Sequence, residues 1–206
     1  MKILFLEDRP DRQLNHLPHK EDAKEIESFP ALFMPKSDEC KTIFKQINDG
    51  EYSFDNDLKI IIAHKSSLDT KGLEHINRFC KANMVKLICF SGGISQITYN
   101  NEEYEFLNIN SAEFYTERLI PFIKHSINNN FETTLLEIVY KDWKLSYMCL
   151  ARQIIENLKL ETNDSARNEF EVKLEKINSI LKFGFTVNSE TIQELNKEIT
   201  KRILLV

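Results

Sequence analysis

The chain has 206 residues, of which 42% are hydrophobic and 29% are charged, and its formal net charge is −5. This length allows one or two domains with a proper core, and five glycines with five prolines are too few for a collagen-like or low-complexity chain. The acidic balance argues against a non-specific nucleic-acid binder, since such proteins are usually basic.

The first part of the chain alternates short apolar runs with amphipathic segments. Apolar runs bounded by polar residues are typical of strands buried on both faces, and they lie at 2–6, 31–34, 58–63, 85–90 and, more weakly, 105–108. Amphipathic spacing predicts helices at 37–47, 73–82 and 111–127, with a kink at Pro121. Pro18 predicts a short or broken helix within 9–29. We therefore expect an α/β domain with a five-stranded, parallel, doubly wound, flavodoxin-like sheet.

Three consecutive asparagines, Asn128 to Asn130, indicate a junction. We predict an α/β domain at 1–128 and, at 129–206, a helical domain or a dimerisation or partner-binding extension. Three amphipathic segments predict helices at about 132–160, 163–182 and from 188 onwards. Trp143, Tyr147 and Met148 lie on the first of them. They belong either to its core or to a surface that binds a partner, because these residue types are enriched in interface cores.

The cysteines and the apolar runs bear on the compartment. No CxxC pair and no histidine at zinc-ligand spacing accompanies the four cysteines, so we expect free, reduced thiols. The N-terminal apolar run is too short for a signal peptide, and no run approaches the about 18 apolar residues of a membrane span. We therefore expect a cytoplasmic protein without membrane contact.

Polar residues follow the predicted strands, where open parallel sheets bind ligands. They are Glu7 and Asp8 after the first strand, His64 and Lys65 after the third, Ser91 and Gly92 after the fourth, and Asn108 after the fifth.

This order of residues resembles the receiver domain of two-component response regulators, over roughly residues 1–127. In that family an acidic pair after the first strand binds Mg²⁺, as Glu7 and Asp8 would. A Ser or Thr and a small residue follow the fourth strand, as Ser91 and Gly92 do. The resemblance implies a receiver fold and a site at this edge of the sheet.

Two positions depart from the family's pattern. Counting back eight residues from Gly72, the position of the phospho-accepting aspartate falls on His64, and Asn108 stands where the family has lysine. His64 lacks the carboxylate nucleophile and the hard oxygen ligand. The resemblance thus implies a degenerate pseudo-receiver, in which Glu7 and Asp8 bind Mg²⁺ weakly at most, with no other cofactor. We expect Lys65 to pair with one of these acids in place of the metal.

The expected function is a non-catalytic signalling or adaptor role through protein–protein contacts, with a protein partner or a second copy of the chain as a homodimer. Two alternatives stay open: a metal-dependent phosphoesterase or nucleotide-processing enzyme using Glu7, Asp8 and His64, and an atypical DNA-binding response regulator. Basic and acidic residues are nearly equal in number after residue 132, which argues against nucleic-acid binding. Simpler interpretations also stay open: the acids cap a helix, His64 is a hydrogen-bonded strand-end residue, and Ser91 begins a plain turn.

Overall fold

The computed structural model describes residues 2–9, 11, 15–140, 143–181 and 189–203. The chain divides into two compact units, residues 1–139 and 140–206. The first unit holds a sheet with interleaved helices, and the described part of the second unit is helical.

Six strands form one sheet in the first unit. They are β1 (Ile3–Leu6), β2 (Leu32–Phe33), β3 (Ile60–His64), β4 (Lys86–Ser91), β5 (Thr98–Asn100) and β6 (Phe106–Asn110), in the order β2-β1-β3-β4-β6-β5. All neighbours are parallel except β5 and β6, which are antiparallel. The five parallel strands are confirmed, and without β5 their order is that of a flavodoxin-like sheet. The prediction of a purely parallel, five-stranded sheet was wrong, because β5 adds a short antiparallel edge.

The helices of this unit are α1 (Lys20–Ser28), α2 (Ser37–Asp49), α3 (Thr70–Asn83), α4 (Ser111–Glu117), α5 (Leu119–Asn128) and α6 (Leu136–Tyr140), with a 3₁₀ turn at Lys65–Ser67. Alternate strand residues enter two separate clusters. In β3, Ile60 and Ile62 pack with the cluster that includes α1, α4 and α5, whereas Ile61 and Ala63 pack with α2 and α3. Both faces of the sheet are therefore covered, as the apolar runs predict.

The helix predicted at 111–127 is divided in two. Arg118 ends α4 and begins α5, with φ of −118° and ψ of −34°. Pro121 lies in the first turn of α5, where its missing N–H would have no helical partner anyway. The proline is thus accommodated by a new helix that starts two residues before it, at Leu119, rather than by a kink.

Residues 129–139 belong to the first unit, so the boundary lies later than the predicted residue 128. The Lys86 ammonium donates to the Phe131 carbonyl at 2.8 Å. Leu135 and Ile138 are buried in the same cluster as α1, α4 and α5. The asparagine run marks the end of α5, and the chain after it still completes the core.

The second unit contains α7 (Trp143–Leu160), α8 (Asp164–Leu181) and α9 (Ser189–Ile203), which confirms three C-terminal helices. Both α8 and α9 pack on α7. No described helix is long and apolar enough to cross a membrane. None of the four cysteines forms a disulfide among the described residues, and Cys40, Cys80 and Cys89 are buried.

A side-chain bridge joins α2 to the start of α3. The Asn48 side chain accepts from the Asp69 N–H at 3.1 Å and donates to the Ser67 carbonyl at 3.1 Å. Asp69 caps α3 by accepting from the Gly72 N–H at 2.7 Å. A Cβ atom on Gly72 would collide with the Asn48 amide oxygen. Gly72 is therefore required by close packing between two helices.

We expect Gly72→Ala to destabilise the chain, although alanine usually stabilises a helix by about 0.5–1 kcal/mol relative to glycine. Overpacking against Asn48 should lower the free energy of unfolding by about 1–3 kcal/mol, measured by urea denaturation followed by circular dichroism. Gly93→Ala is the control, because a Cβ atom there meets nothing within 4 Å. A stability equal to or above that of the wild type would contradict the packing argument.

Candidate functional site

The candidate site lies at the carboxyl ends of the parallel strands, along the side of the sheet that we call the strand-end edge. Glu7 and Asp8 follow β1, His64 ends β3, and Ser91 ends β4. The register pairs His64 with Phe90, one residue before Ser91. The predicted strand-end residues are thus brought to one edge, with one shift: β6 continues to Asn110, so Asn108 lies within the strand opposite Cys89.

Asp8 and His64 form the centre of the site. The Nδ1 atom of His64 lies 2.8 Å from Oδ1 of Asp8, and the hydroxyl of Ser67 donates to Oδ2 of Asp8 at 2.9 Å. Burial acts to raise the pKa of Asp8, but the hydrogen bonds from His64 and Ser67 and the attraction of His64 outweigh it. As a result the pKa of Asp8 lies below its usual value of 3.8, and the carboxylate is ionised at neutral pH.

His64 is enclosed by the fold. Its side chain is 1% exposed, and its ring stacks on Phe90 with 5.6 Å between the centroids. The Ser67 hydroxyl lies 3.0 Å from the same Nδ1 atom that faces Asp8. A serine–histidine–aspartate relay needs the serine and the acid on opposite ring nitrogens, so this trio is not a nucleophilic triad.

Glu7 is more deeply buried than Asp8. It is 3% exposed, and its two carboxylate oxygens accept from the Arg9 N–H at 2.9 Å and from the Tyr115 hydroxyl at 2.8 Å. Both donors are neutral groups. Within the described part of the chain, no lysine or arginine side chain lies within ion-pair distance of Glu7 or Asp8.

Lys65 takes a different partner from the one expected. Its ammonium donates to the side-chain oxygen of Asn108 at 3.2 Å, and Asn108 in turn donates to the Thr98 hydroxyl at 3.0 Å. The expected ion pair between Lys65 and the acids is therefore not formed. His64 occupies that place instead, because its ring lies between the two strand ends whereas Lys65 points across to β6.

Ser91 and Gly92 lie beside this centre. The hydroxyls of Ser91 and Ser66 are 2.8 Å apart, and the carbonyl of Gly92 accepts from the Asn110 side chain at 3.3 Å. Gly92 and Gly93 are exposed. Hydroxyl and amide groups line this side of the site.

The sequence did not single out two residues that hold the acids. Ser67 stands three residues after His64, and the 3₁₀ turn folds it back onto Asp8; a serine just after a strand end was the available signal. Tyr115 reaches Glu7 from α4, 108 residues along the chain. An aromatic residue on an amphipathic helix is normally interpreted as part of the core. Nothing in the sequence indicates that the Tyr115 hydroxyl donates to Glu7.

The residues proposed for partner binding lie in the second unit. Tyr147 and Met148 are buried in the core shared by α7, α8 and α9. Trp143 begins α7, and its side chain lies outside the described part of the chain. A partner-binding role for the three stays a prediction, and the burial of Tyr147 and Met148 counts against it.

No protein-family model, curated protein or solved structure matches this chain. The class that the fold defines is an α/β domain with a mostly parallel sheet, followed by a helical unit. The resemblance to receiver domains therefore depends on the order of the strand-end residues alone.

Tyr115→Phe should destabilise the chain, because it removes a hydroxyl donor from a buried carboxylate. We expect the free energy of unfolding at neutral pH to fall by about 1–3 kcal/mol, measured by denaturant titration. Tyr52→Phe is the matched control, since the Tyr52 hydroxyl makes no hydrogen bond to the described residues. Equal effects of the two substitutions would show that the Tyr115 hydroxyl does not support Glu7.

Proposed function

We propose that the chain is a receiver-like, non-catalytic signalling or adaptor module that accepts no phosphoryl group at the usual position and acts through protein–protein contacts. The observation that carries the proposal is the state of His64. An imidazole that is 1% exposed, with Nδ1 held by Asp8 at 2.8 Å, ends the strand where a receiver places its aspartate.

The chemistry around His64 supports this proposal. Aspartyl phosphate formation needs an accessible carboxylate in line with the donor phosphorus and a metal to neutralise charge. The carboxylate in contact with His64 is that of Asp8. It already accepts a hydrogen bond from the Ser67 hydroxyl and lies 2.8 Å from Nδ1 of His64. The lysine at the edge, Lys65, is engaged by Asn108.

We expect the intact mass of the full chain to stay unchanged after incubation with acetyl phosphate and Mg²⁺. His64→Asp is the matched variant, because it returns a carboxylate to the end of β3 beside Glu7 and Asp8. It should gain the mass of one phosphoryl group, and beryllofluoride should raise its unfolding temperature but not that of the wild type.

Two results would count against the proposal. Phosphorylation of the wild-type chain that disappears in His64→Asn would make His64 itself an acceptor. A His64→Asp variant that folds but takes up neither phosphoryl group nor beryllofluoride would remove the receiver-like interpretation of the strand ends.

The surface available to a partner includes the exposed turn after β4. A Cβ atom on Gly93 meets nothing within 4 Å, and Gly93 does not have a positive φ, so Gly93→Arg should block this surface without disturbing the fold. Asn56→Arg is the control. It places the same side chain at an exposed position four residues before β3 begins, at the end of the strand opposite to His64.

We expect affinity purification of the tagged chain from its native cells, with quantitative mass spectrometry, to yield a protein partner or a second copy of the chain. Gly93→Arg should lose that partner, whereas Asn56→Arg should retain it. Retention by both variants would place the contact elsewhere and contradict a strand-end binding surface.

One observation favours a second candidate, a metal-dependent phosphoesterase or nucleotide-processing enzyme. Glu7, Asp8 and His64 each offer a ligand atom, and these atoms lie within 4.8 Å of one another. Hydrolysis of a panel of phosphoesters and nucleotides, abolished in both Glu7→Gln and Asp8→Asn, would favour this candidate over the adaptor. No turnover across the panel would remove it.

A further inference from the structure

The side chains that meet at the end of β1 and β3 combine one nitrogen donor with two carboxylates. Glu7 is 3% exposed and His64 is 1% exposed, while the Asp8 side chain is 17% exposed. Their ligand atoms lie within 4.8 Å of one another. Glu7 and Asp8 directly follow β1 and His64 ends β3, so two adjacent, buried strands hold the three residues in place.

The charge of this cluster is not balanced by a lysine or arginine of the described residues. From that part of the chain, Glu7 receives hydrogen bonds from two neutral donors, the Arg9 N–H and the Tyr115 hydroxyl. Among the described residues no lysine or arginine forms an ion pair with Glu7 or Asp8, and His64 is the basic side chain in direct contact with Asp8. A buried carboxylate beside a second, partly exposed one is costly unless hydrogen bonds or a positive charge compensate for it. A divalent cation supplies that charge without requiring a protonated imidazole.

The distances suit a metal ion. Two ligands about 2.1 Å from one ion and at right angles to each other lie about 3 Å apart, and Nδ1 of His64 is 2.8 Å from Oδ1 of Asp8. An ion that binds here replaces the proton between these atoms, since a ligating imidazole nitrogen must be deprotonated. A carboxylate oxygen of Glu7 lies within 4.8 Å of both of these atoms.

Neighbouring groups already orient two of the ligands. Ser67 holds Oδ2 of Asp8 and leaves Oδ1 directed at His64, and Tyr115 holds one oxygen of Glu7. Such outer hydrogen bonds fix ligand orientation in metal sites. Asp8 also borders a cavity of about 690 Å³ with Arg9, His16 and Lys41, which provides an entry path and room for water ligands.

We propose that Glu7, Asp8 and His64 bind one divalent transition-metal ion, of the Zn²⁺, Co²⁺ or Mn²⁺ class, in preference to Mg²⁺. Imidazole nitrogen suits Zn²⁺ and its neighbours, whereas Mg²⁺ favours oxygen ligands alone. Three protein ligands leave coordination positions for water or another ligand. This inference does not depend on the proposed adaptor function. It uses the three residues of the metal-dependent alternative and adds which class of ion they would bind.

The test uses the full chain after treatment with EDTA and dialysis. Titration with Co²⁺, followed by visible absorption and calorimetry, should give one site per chain, bound at least about tenfold more tightly than Mg²⁺ under the same conditions. The near-ultraviolet thiolate-to-cobalt band should be absent, which separates this site from the cysteines.

Substitutions then assign the ligands. His64→Asn should weaken Co²⁺ binding by about 10–100-fold and abolish the preference over Mg²⁺. Asp8→Asn, at the most exposed of the three positions, should weaken Co²⁺ binding without unfolding the chain. The matched control is His19→Gln, because His19 is exposed at the start of α1, and it should bind Co²⁺ as the wild type does.

Three outcomes would overturn the inference. They are Mg²⁺ affinity equal to Co²⁺ affinity in the wild type, unchanged Co²⁺ binding in both folded His64→Asn and Asp8→Asn variants, or loss of the site in His19→Gln. Phosphorylation of the wild type, which would contradict the proposed function, has no bearing on these readouts.

Discussion

The hydrogen bond between Asp8 and His64 is the interaction around which the strand-end edge is organised. It joins the end of β1 to the end of β3 at 2.8 Å, at the point where both strands leave the core. Asp8 is partly buried, with its side chain 17% exposed, and the imidazole and the Ser67 hydroxyl stabilise its carboxylate there. The 3₁₀ turn after β3 then follows, because it brings Ser67 back to the same carboxylate.

The sheet beneath this edge makes the arrangement rigid. Leu4 and Leu6 pack on one face and Ile3 and Phe5 on the other, each fully buried. A shift of β1 by one residue would exchange the two faces and would also move Glu7 and Asp8 away from His64. The burial of both faces therefore fixes the register of the strands, and the register fixes the distance between the polar groups that end them.

The parts of the fold that repeat a pattern could be predicted from the sequence, and the parts that depend on single contacts could not. Five strands follow from apolar runs, but Thr98–Asn100 has no such run and forms β5 only by pairing with β6. Asn108 was placed after its strand because polar residues there resemble a strand end, whereas β6 continues for two more residues. The partner of Lys65 and the hydroxyl of Tyr115 depend on side-chain reach across the fold, which no local spacing encodes.

Histidine at the end of β3 underlies both proposals, but through different physical consequences. An imidazole at this position offers no carboxylate nucleophile for aspartyl phosphate formation, and this holds whether or not an ion binds. The same imidazole offers a nitrogen ligand, which changes which ions it and the neighbouring carboxylates would hold. Among the described residues Glu7 accepts from neutral donors and Asp8 is held ionised. Under the two proposals together, an ion bound by Glu7, Asp8 and His64 would therefore add positive charge to the surface that a partner would meet.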